Sequence, residues 1–367
     1  MLETLVKPPV SLKALAASQP AQMADHTTPL IRNCWYVAAL GTELTRELKE
    51  RTLLETSVLM YRKLDGTPVV MNNRCIHRSF PLAKGRLEGD NVVCGYHGMV
   101  YNPNGQCIGM PSLANAPTNA RIPSYPVAER GPLIWVWMGD PSLASEDKIP
   151  QTPWLDDPMW KSVGGQFHLK SNYVAMHENL LDQTHFPILH SDTVGTPDYS
   201  RSELKVHADG DKVIINRALR DSPPPMIYGK PMKLVDRPVD RFSDSRFDSP
   251  ALHIAHAKIV NLQPQPGELN EYLVNITHLF TPEAQGSIHY WWFNTRNFGL
   301  DDLEVDTYFR EASTKAYYED VDALTWIQEN YDRAHGPVEE LSFAPDRPGL
   351  MMRRNLLKLV KAEAGEN

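Results

Sequence analysis

The sequence predicts an α+β fold, in which an all-β N-terminal domain precedes a C-terminal domain with an antiparallel sheet flanked by helices. Short strand-like runs separated by glycine-containing turns fill residues 52–138, which is typical of a small antiparallel domain. Longer alternating runs follow between residues 252 and 295, and a helical tract covers residues 303–334. This change in pattern along the chain indicates two successive domains.

The N-terminal domain is expected to span residues 31–145. Its hairpins are marked by dipeptides that favour tight turns, namely Asp65-Gly66, Asn104-Gly105 and Arg130-Gly131. Before this domain, residues 1–30 contain prolines among small and polar residues. We interpret them as a flexible N-terminal extension.

The C-terminal domain is expected to span residues 146–367. A helix is predicted over residues 174–185, a hairpin at Asp209-Gly210 and a second helical tract over residues 350–362. Pro187 follows the first helix. Because a proline inside a helix removes a backbone hydrogen bond, we expect the helix to break or bulge near this residue.

Composition places the chain among ordinary globular proteins. It has 367 residues, of which 42% are hydrophobic and 22% charged, and a formal net charge of -8. This charge argues against nucleic-acid binding, which requires a basic face, and no apolar run reaches the length of a membrane span. Four cysteines do not make a disulfide framework in a chain this long. A reducing cytoplasm is therefore the expected compartment.

Two loops of the first domain each combine one cysteine with one histidine. Cys75 and His77 form a Cys-x-His pair, and Cys94 and His97 follow as Cys-x-x-His. This division suits a [2Fe-2S] cluster of the Rieske type, in which one iron takes both cysteines and the other takes both histidines. A structural zinc ion also accepts two cysteines and two histidines. Zinc modules usually pair cysteine with cysteine, so the Rieske interpretation is favoured.

A second candidate metal site lies in the stretch HENLLDQTHFPILH. Asn179, Asp182 and His185 follow one another at three-residue steps and would share one helical face. If the chain turns at Pro187, His190 can return beside His185. Two such imidazoles are two of the three ligands of a 2-His-1-carboxylate iron site. Two histidines in a helix are more often surface or core residues, so this pattern alone does not establish a metal.

Basic residues surround the first cysteine–histidine loop, namely Arg74, Arg78, Lys84 and Arg86. A solvated surface is the ordinary explanation for such a group. The alternative hypothesis is a docking site for an acidic electron donor.

Together, the two metal motifs make the sequence resemble the Rieske non-haem iron oxygenases, in the branch that contains the dicamba and vanillate O-demethylases. The segments CIHRSFPLAKG, CGYHG, THLFTPE and TRNFGLDD resemble that branch, and the resemblance extends from near Arg32 to the C-terminal region. It implies that Cys75, His77, Cys94 and His97 hold a [2Fe-2S] Rieske cluster.

The resemblance also implies a mononuclear non-haem Fe(II) held by His185, His190 and an aspartate of the long C-terminal helix. The segment EDVDALTWIQ places this aspartate at Asp320. Glu319 and Asp322 are less favoured, because the family pattern puts the ligand second in a Glu-Asp pair.

Members of the family form trimers, in which the cluster of one subunit lies near the iron of the next. By this resemblance, a homotrimer is expected, with Asp182 linking His97 of a neighbouring subunit to His185. Asn179 resembles an active-site asparagine close to the iron. A buried carboxylate between two imidazoles can accept a hydrogen bond from each and orient both.

The resemblance implies an enzyme that uses O2 and electrons passed from NAD(P)H through a reductase or ferredoxin. The favoured reaction is monooxygenation of an aromatic compound, with oxidative O-demethylation of a methoxylated aromatic acid. His278 matches a position that contacts substrate in this branch, and His177 is a weaker pocket candidate. One alternative is ring or angular dioxygenation of an aromatic or diaryl ether substrate. An alternative from a different class of protein is a Rieske electron-transfer protein without oxygenase activity. Such a carrier needs only the first domain, so the second iron motif argues against it.

Overall fold

The computed structural model describes residues 23–115, 119–334 and 338–366. Residues 1–22 of the predicted extension lie outside the described residues. Its remainder, residues 23–30, is packed rather than flexible, because Ala24 and Leu30 are buried. The backbone N–H of Ala24 also donates to the carbonyl of Arg353 near the C-terminus.

The first domain is built from short antiparallel strands, as predicted. The strands are β1 (Trp35–Leu40), β2 (Lys49–Leu53), β3 (Thr56–Arg62), β4 (Pro68–Asn72), β5 (Arg86–Glu88), β6 (Asn91–Val93), β7 (Val100–Tyr101), β8 (Cys107–Gly109), β9 (Val127–Arg130) and β10 (Leu133–Trp137). They pair in the orders β1-β10-β9, β2-β3-β4 and β5-β6-β7-β8. The predicted turn glycines Gly66, Gly105 and Gly131 all have positive φ angles, the conformation that such turns require.

The second domain contains one seven-stranded antiparallel sheet within the described residues, in the order β11-β17-β16-β15-β14-β13-β12. These strands are β11 (Lys161–Leu169), β12 (Lys205–Asp209), β13 (Lys212–Ser222), β14 (Val239–Ser249), β15 (Leu252–Asn261), β16 (Glu271–Ala284) and β17 (Ser287–Arg296). Strands β12 to β17 follow one another as a meander, and β11 closes the edge beside β17. The fold class is therefore confirmed.

The helices carry the residues of the second metal motif. They are α1 (Tyr173–Leu181), α2 (Phe186–Leu189), α3 (Met226–Gly229), α4 (Leu303–Ala334) and α5 (Arg347–Glu363). The first helix was predicted to end at residue 185 and to break near Pro187. It ends four residues earlier, at Leu181. Pro187 instead lies in the first turn of α2, where its missing N–H costs no helical hydrogen bond. No described helix is both long enough and apolar enough to cross a membrane.

The two faces of the large sheet bury against different partners, because successive side chains of a strand point to opposite faces. On one face, Leu279 and Trp291 share a buried cluster with Trp35 and Trp137 of the first domain. On the other face, Phe280, Tyr290 and Trp292 belong to the main core with residues of α1 and α4. This second face supplies the wall of the candidate site.

Candidate metal centres and substrate cavity

The four predicted cluster ligands lie on two neighbouring loops, one between β4 and β5 and the other between β6 and β7. Cys75 and Cys94 are buried, whereas His77 and His97 are exposed. The two imidazole rings are close together, with centroids 4.6 Å apart. The thiols thus face the domain interior and the imidazoles face its surface, as a cluster with one sulfur-bound and one histidine-bound iron would require.

Close backbone packing brings these loops together. A Cβ atom on Gly85 would lie only 2.2 Å from the carbonyl oxygen of Val93, so a side chain at this position would push the loops apart. Tyr101 was not identified from the sequence, yet its hydroxyl lies 3.2 Å from the Cys75 Sγ. Hydrogen bonds to cluster sulfurs help to set the reduction potential, so Tyr101 is placed to influence a cluster bound here.

The irregular turn between α1 and α2 returns His190 to the side of His185, and α4 presents Asp320 to both. One candidate ligand atom from each of these three residues lies within 4.8 Å of the other two. The Asp320 Oδ1 is 3.1 Å from the His190 Nε2 and 3.6 Å from the His185 Nε2. The His185 Nε2 is buried and has no hydrogen-bond partner among the described residues. A metal ion between the three side chains would satisfy this atom, so the donor set fits Fe(II).

Two further carboxylates lie beside the Nδ1 atoms of the two histidines. The His190 Nδ1 is 2.7 Å from the Glu319 Oε2, and the His185 Nδ1 is 3.6 Å from the Asp182 Oδ2. Each histidine therefore directs its Nε2 toward Asp320 and its other nitrogen toward a carboxylate, the arrangement that orients metal-binding imidazoles. Sequence reasoning treated Glu319 only as an alternative ligand and missed this supporting position.

Neighbouring hydrogen bonds fix the remaining members of the motif. Asp182 adopts an extended backbone after α1, and its Oδ1 accepts from the backbone N–H and the hydroxyl of Thr184. Burial raises the pKa of Asp182, but the nearby His185 imidazole and hydrogen bonds from Thr184 outweigh it and hold this pKa below its ordinary value. The Asn179 Nδ2 donates to the Asp320 Oδ1 over 3.0 Å. Asp322 is exposed and does not reach the group.

A cavity extends from this centre along the face of the large sheet that packs against α1 and α4. Its walls are mainly aromatic and aliphatic, with Phe186, Tyr199, Leu219, Tyr228, Ile259, Ile276 and Tyr317. Among the polar residues that also line it are Asn179, Gln183, Ser243, His278 and Asn294.

Of the two histidines that were predicted to line a substrate pocket, His278 lines the cavity. Its Nδ1 is 2.7 Å from the Tyr290 hydroxyl. Burial lowers the pKa of His278 to about 3, so its imidazole is neutral near pH 7 and can offer one N–H to a ligand.

The pocket role expected for His177 is wrong. This residue is fully buried, and it does not line the cavity. Its Nε2 is 3.1 Å from the carbonyl of Pro250, and burial lowers its pKa to about 4. His177 is thus a neutral core residue on the side of α1 that faces the sheet.

Each of the two domains matches a known protein family. Residues 34–126 match the family described as the Rieske [2Fe-2S] domain, and residues 169–362 match the vanillate O-demethylase oxygenase C-terminal domain. A toluene-4-sulfonate monooxygenase iron–sulfur subunit, TsaM1 from Comamonas testosteroni, is 38% identical over 91% of this chain and 98% of its own length. The dicamba O-demethylase oxygenase component of Stenotrophomonas maltophilia is 32% identical over 91% of this chain and 99% of its own.

A solved structure shares the complete fold. Dicamba monooxygenase bound to 3,6-dichlorosalicylic acid superposes with a TM-score of 0.85 and 31% identity, over 92% of this chain and 100% of the other. The matches cover both domains and include the regions that hold the two metal motifs. The chain therefore belongs to the Rieske non-haem iron oxygenases and is the oxygenase component of a multicomponent monooxygenase.

Proposed function

We propose that each metal motif holds the group its geometry suits. Cys75, His77, Cys94 and His97 would bind the [2Fe-2S] cluster, and His185, His190 and Asp320 would bind the mononuclear iron. The main support is the buried His185 Nε2, which lacks a partner beside two other converging ligand atoms. When bound, such an iron activates O2 at the positions that three protein ligands leave open.

The surrounding residues would hold these ligands and the substrate. Asn179 holds the Asp320 carboxylate through its Nδ2, and Glu319 holds the His190 ring. The apolar cavity walls would exclude water and keep an aromatic ring beside the iron ligands. His278 would donate its free N–H to a polar group of the substrate, while Tyr290 fixes the orientation of its ring.

The proposed reaction is oxidative O-demethylation of a methoxylated aromatic compound. Hydroxylation of the methoxy carbon gives a hemiacetal, which collapses to a phenol and formaldehyde. One O2, two electrons and two protons are consumed, and the second oxygen atom leaves as water. Support comes from the match to the vanillate O-demethylase domain family and from a relative named as a dicamba O-demethylase.

A panel of methoxy- and aryloxy-aromatics, assayed with a surrogate reductase, tests this reaction. We expect formaldehyde and O2 consumption in roughly equal amounts with at least one methoxyarene, and none with the Asp320→Ala protein. Formation of cis-diols, or of phenols without formaldehyde, would instead identify ring or angular dioxygenation.

We further propose that the chain works as a homotrimer in which a neighbouring copy docks its cluster face beside Asp182. A groove next to Asp182 contains the exposed apolar residues Ile327 and Leu341. Around the cluster histidines, Ile76 and Tyr96 are likewise exposed. Burying these two apolar patches against each other would bring the imidazoles of one copy to the Asp182 carboxylate of the next.

The electron donor is proposed to be an acidic protein that approaches the basic loop around the cluster. Arg74, Arg78, Lys84 and Arg86 are all exposed. Arg86 is paired with Glu88, whereas Arg74, Arg78 and Lys84 form no ion pair with a described residue. These three side chains therefore carry the available positive charge.

Reversing the charge of Arg78 and Lys84 together should slow reduction of the cluster. With a reduced, acidic plant-type ferredoxin as the donor in stopped-flow experiments, we expect a decrease of about 10-fold at low salt. The difference should shrink at high salt, since screening weakens steering. Lys205→Glu, at an exposed site on β12, is the matched control. Equal rates for the double variant and the wild type at low salt would refute the docking assignment.

A further inference from the structure

A buried arginine lies on the cavity wall, and the iron chemistry does not use it. Arg241 on β14 is only 5% exposed, and it lines the cavity. Its Nη2 donates to the Thr196 hydroxyl over 2.9 Å, and its Nη1 to the carbonyl of Pro223 over 3.2 Å. Both of these acceptors are neutral. Its nearest carboxylate, Asp198, lies 4.0 Å away, beyond hydrogen-bond distance.

A second buried arginine leaves this end of the cavity with excess positive charge. Arg217 is 7% exposed, and its Nη1 donates to the carbonyl and hydroxyl of Ser202. In the part of the chain that the structure describes, no carboxylate forms an ion pair with it. The guanidinium groups of Arg217 and Arg241 lie 5.4 Å and 5.8 Å from the ring centroid of Tyr199. Among the described residues, Arg241 thus has one carboxylate within 4.0 Å, that of Asp198, and Arg217 has none.

The sheet register places Arg241 at the opposite end of the cavity from the iron ligands. Ser245 and Arg241 share one face of β14, four residues apart, which corresponds to about 13 Å along a strand. The cross-strand row of Ser245 continues through Ala255 and Ile276 to Asn294. Asn294 accepts a hydrogen bond from Tyr317 on α4, one turn from Asp320.

An aromatic side wall connects the two ends. The Phe186 ring lies 5.0 Å from the His185 ring and 5.1 Å from the Tyr199 ring, measured between centroids. A benzene ring with substituents at opposite positions is of suitable length for this separation of about 13 Å. It leaves about 3 Å for a near-attack distance at the iron end and about 3 Å for a hydrogen bond at the arginine end.

We propose that Arg241, with Tyr199 and Ser243 beside it, binds an anionic substituent on the substrate ring, opposite the alkyl or methoxy carbon presented to the iron. Carboxylate and sulfonate share the required chemistry, since the planar guanidinium can donate two parallel hydrogen bonds to either. An entering anion would also compensate the incompletely paired buried charge. This assignment rests on the proposed function, because it names the substrate class that the same cavity accepts.

Two pairs of probes isolate the charge from the shape of the ligand. Toluene-4-sulfonate is compared with toluene-4-sulfonamide, and 4-methoxybenzoate with 4-methoxybenzamide, by calorimetric titration of the iron-loaded protein. We expect at least one anion to bind about 10-fold or more tightly than its neutral partner, as hydrogen bonds to charged groups imply. The pair with the larger difference identifies the acid. Equal affinities within both pairs overturn the proposal without any variant.

Arg241→Gln should remove this preference by weakening the anion about 10- to 100-fold, while the amide changes less than about 3-fold. Arg220→Gln is the matched control, because Arg220 is exposed and paired with Asp240 outside the cavity. Equal weakening of acid and amide would mean general damage to the cavity and contradict the assignment. If Arg241→Gln does not fold, Arg241→Lys replaces it and should retain a reduced preference for the anion.

Failure of this proposal is distinguishable from failure of the proposed reaction. If 4-methoxybenzamide is demethylated as efficiently as 4-methoxybenzoate, O-demethylation stands and the anion subsite is refuted. If the anion preference in binding holds but no methoxyarene yields formaldehyde, the subsite stands and the reaction must be revised.

Discussion

Asp320→Ala is expected to release the mononuclear iron and to leave the Rieske cluster in place. Asp320 is the carboxylate whose Oδ1 lies between the Nε2 atoms of His185 and His190. Loss of an outer-shell partner typically costs 10- to 100-fold in metal affinity or activity, so loss of a ligand should reduce turnover by more than about 100-fold. Metal analysis should show the loss of one iron per chain, with an unchanged electron resonance signal from the reduced cluster.

Neighbouring carboxylates of α4 provide graded controls. Asp322→Ala should keep the iron and wild-type turnover, because Asp322 is exposed and does not belong to the group of converging ligand atoms. Glu319→Gln should keep the ligand set but weaken iron binding about 10- to 100-fold, since it disturbs the partner of the His190 Nδ1. Loss of the iron from Asp322→Ala, with retention in Asp320→Ala, would transfer the ligand role to Asp322.

Asp182→Asn is expected to retain both metal centres and yet reduce turnover by about 100-fold or more, the upper range for an outer-shell partner. The replacement is nearly isosteric, and its Oδ1 can still accept from Thr184, so the turn after α1 should persist. The carboxylate Oδ2 beside the His185 Nδ1 is replaced by an amide NH2 group, which cannot accept a hydrogen bond. The proposed connection from a neighbouring His97 to His185 would therefore be broken.

Single-turnover experiments locate this defect. After full reduction and addition of O2 and substrate, the Asp182→Asn cluster should stay reduced long after the wild-type cluster is oxidised. Asp192→Asn, at an exposed carboxylate after α2, should behave as wild type. Wild-type rates of cluster oxidation in Asp182→Asn would remove Asp182 from the electron path.

Much of the fold could be predicted because local signals and tertiary structure agree. The turn glycines require positive φ angles, which only a few residue types adopt readily, and each marks a real hairpin. The long helix over Leu303–Ala334 was predicted at both ends, since its polar and apolar residues alternate with helical periodicity. Residues 23–30 were mispredicted because their burial depends on α5, far away in the sequence.

The site was predictable where one short stretch contains several of its members. Asn179, Asp182, His185 and His190 were found together, but Asp320 is 130 residues from His190 and was selected through the family resemblance. The supporting role of Glu319 depends on how α4 is rotated against α2. Tyr101 and Arg241 become candidates only when strands pair, because their partners lie on other loops and strands. Likewise, burial of His177 depends on strands that follow it much later in the chain.

In the proposed trimer, the cluster of one chain supplies electrons to the iron of the next, and trimers assembled from two inactive variants can show whether it does. Cys94→Ala chains, which lack the cluster, and Asp320→Ala chains, which lack the iron, should each form inactive trimers. When the two are refolded or coexpressed together in equal amounts, about one quarter of the neighbouring pairs combine an intact cluster with an intact iron. We therefore predict recovery of about a quarter of wild-type turnover in the whole mixture, which corresponds to about a third in verified mixed trimers, because each of these has one productive pair out of three. Mixed trimers as inactive as either parent would contradict electron transfer between subunits.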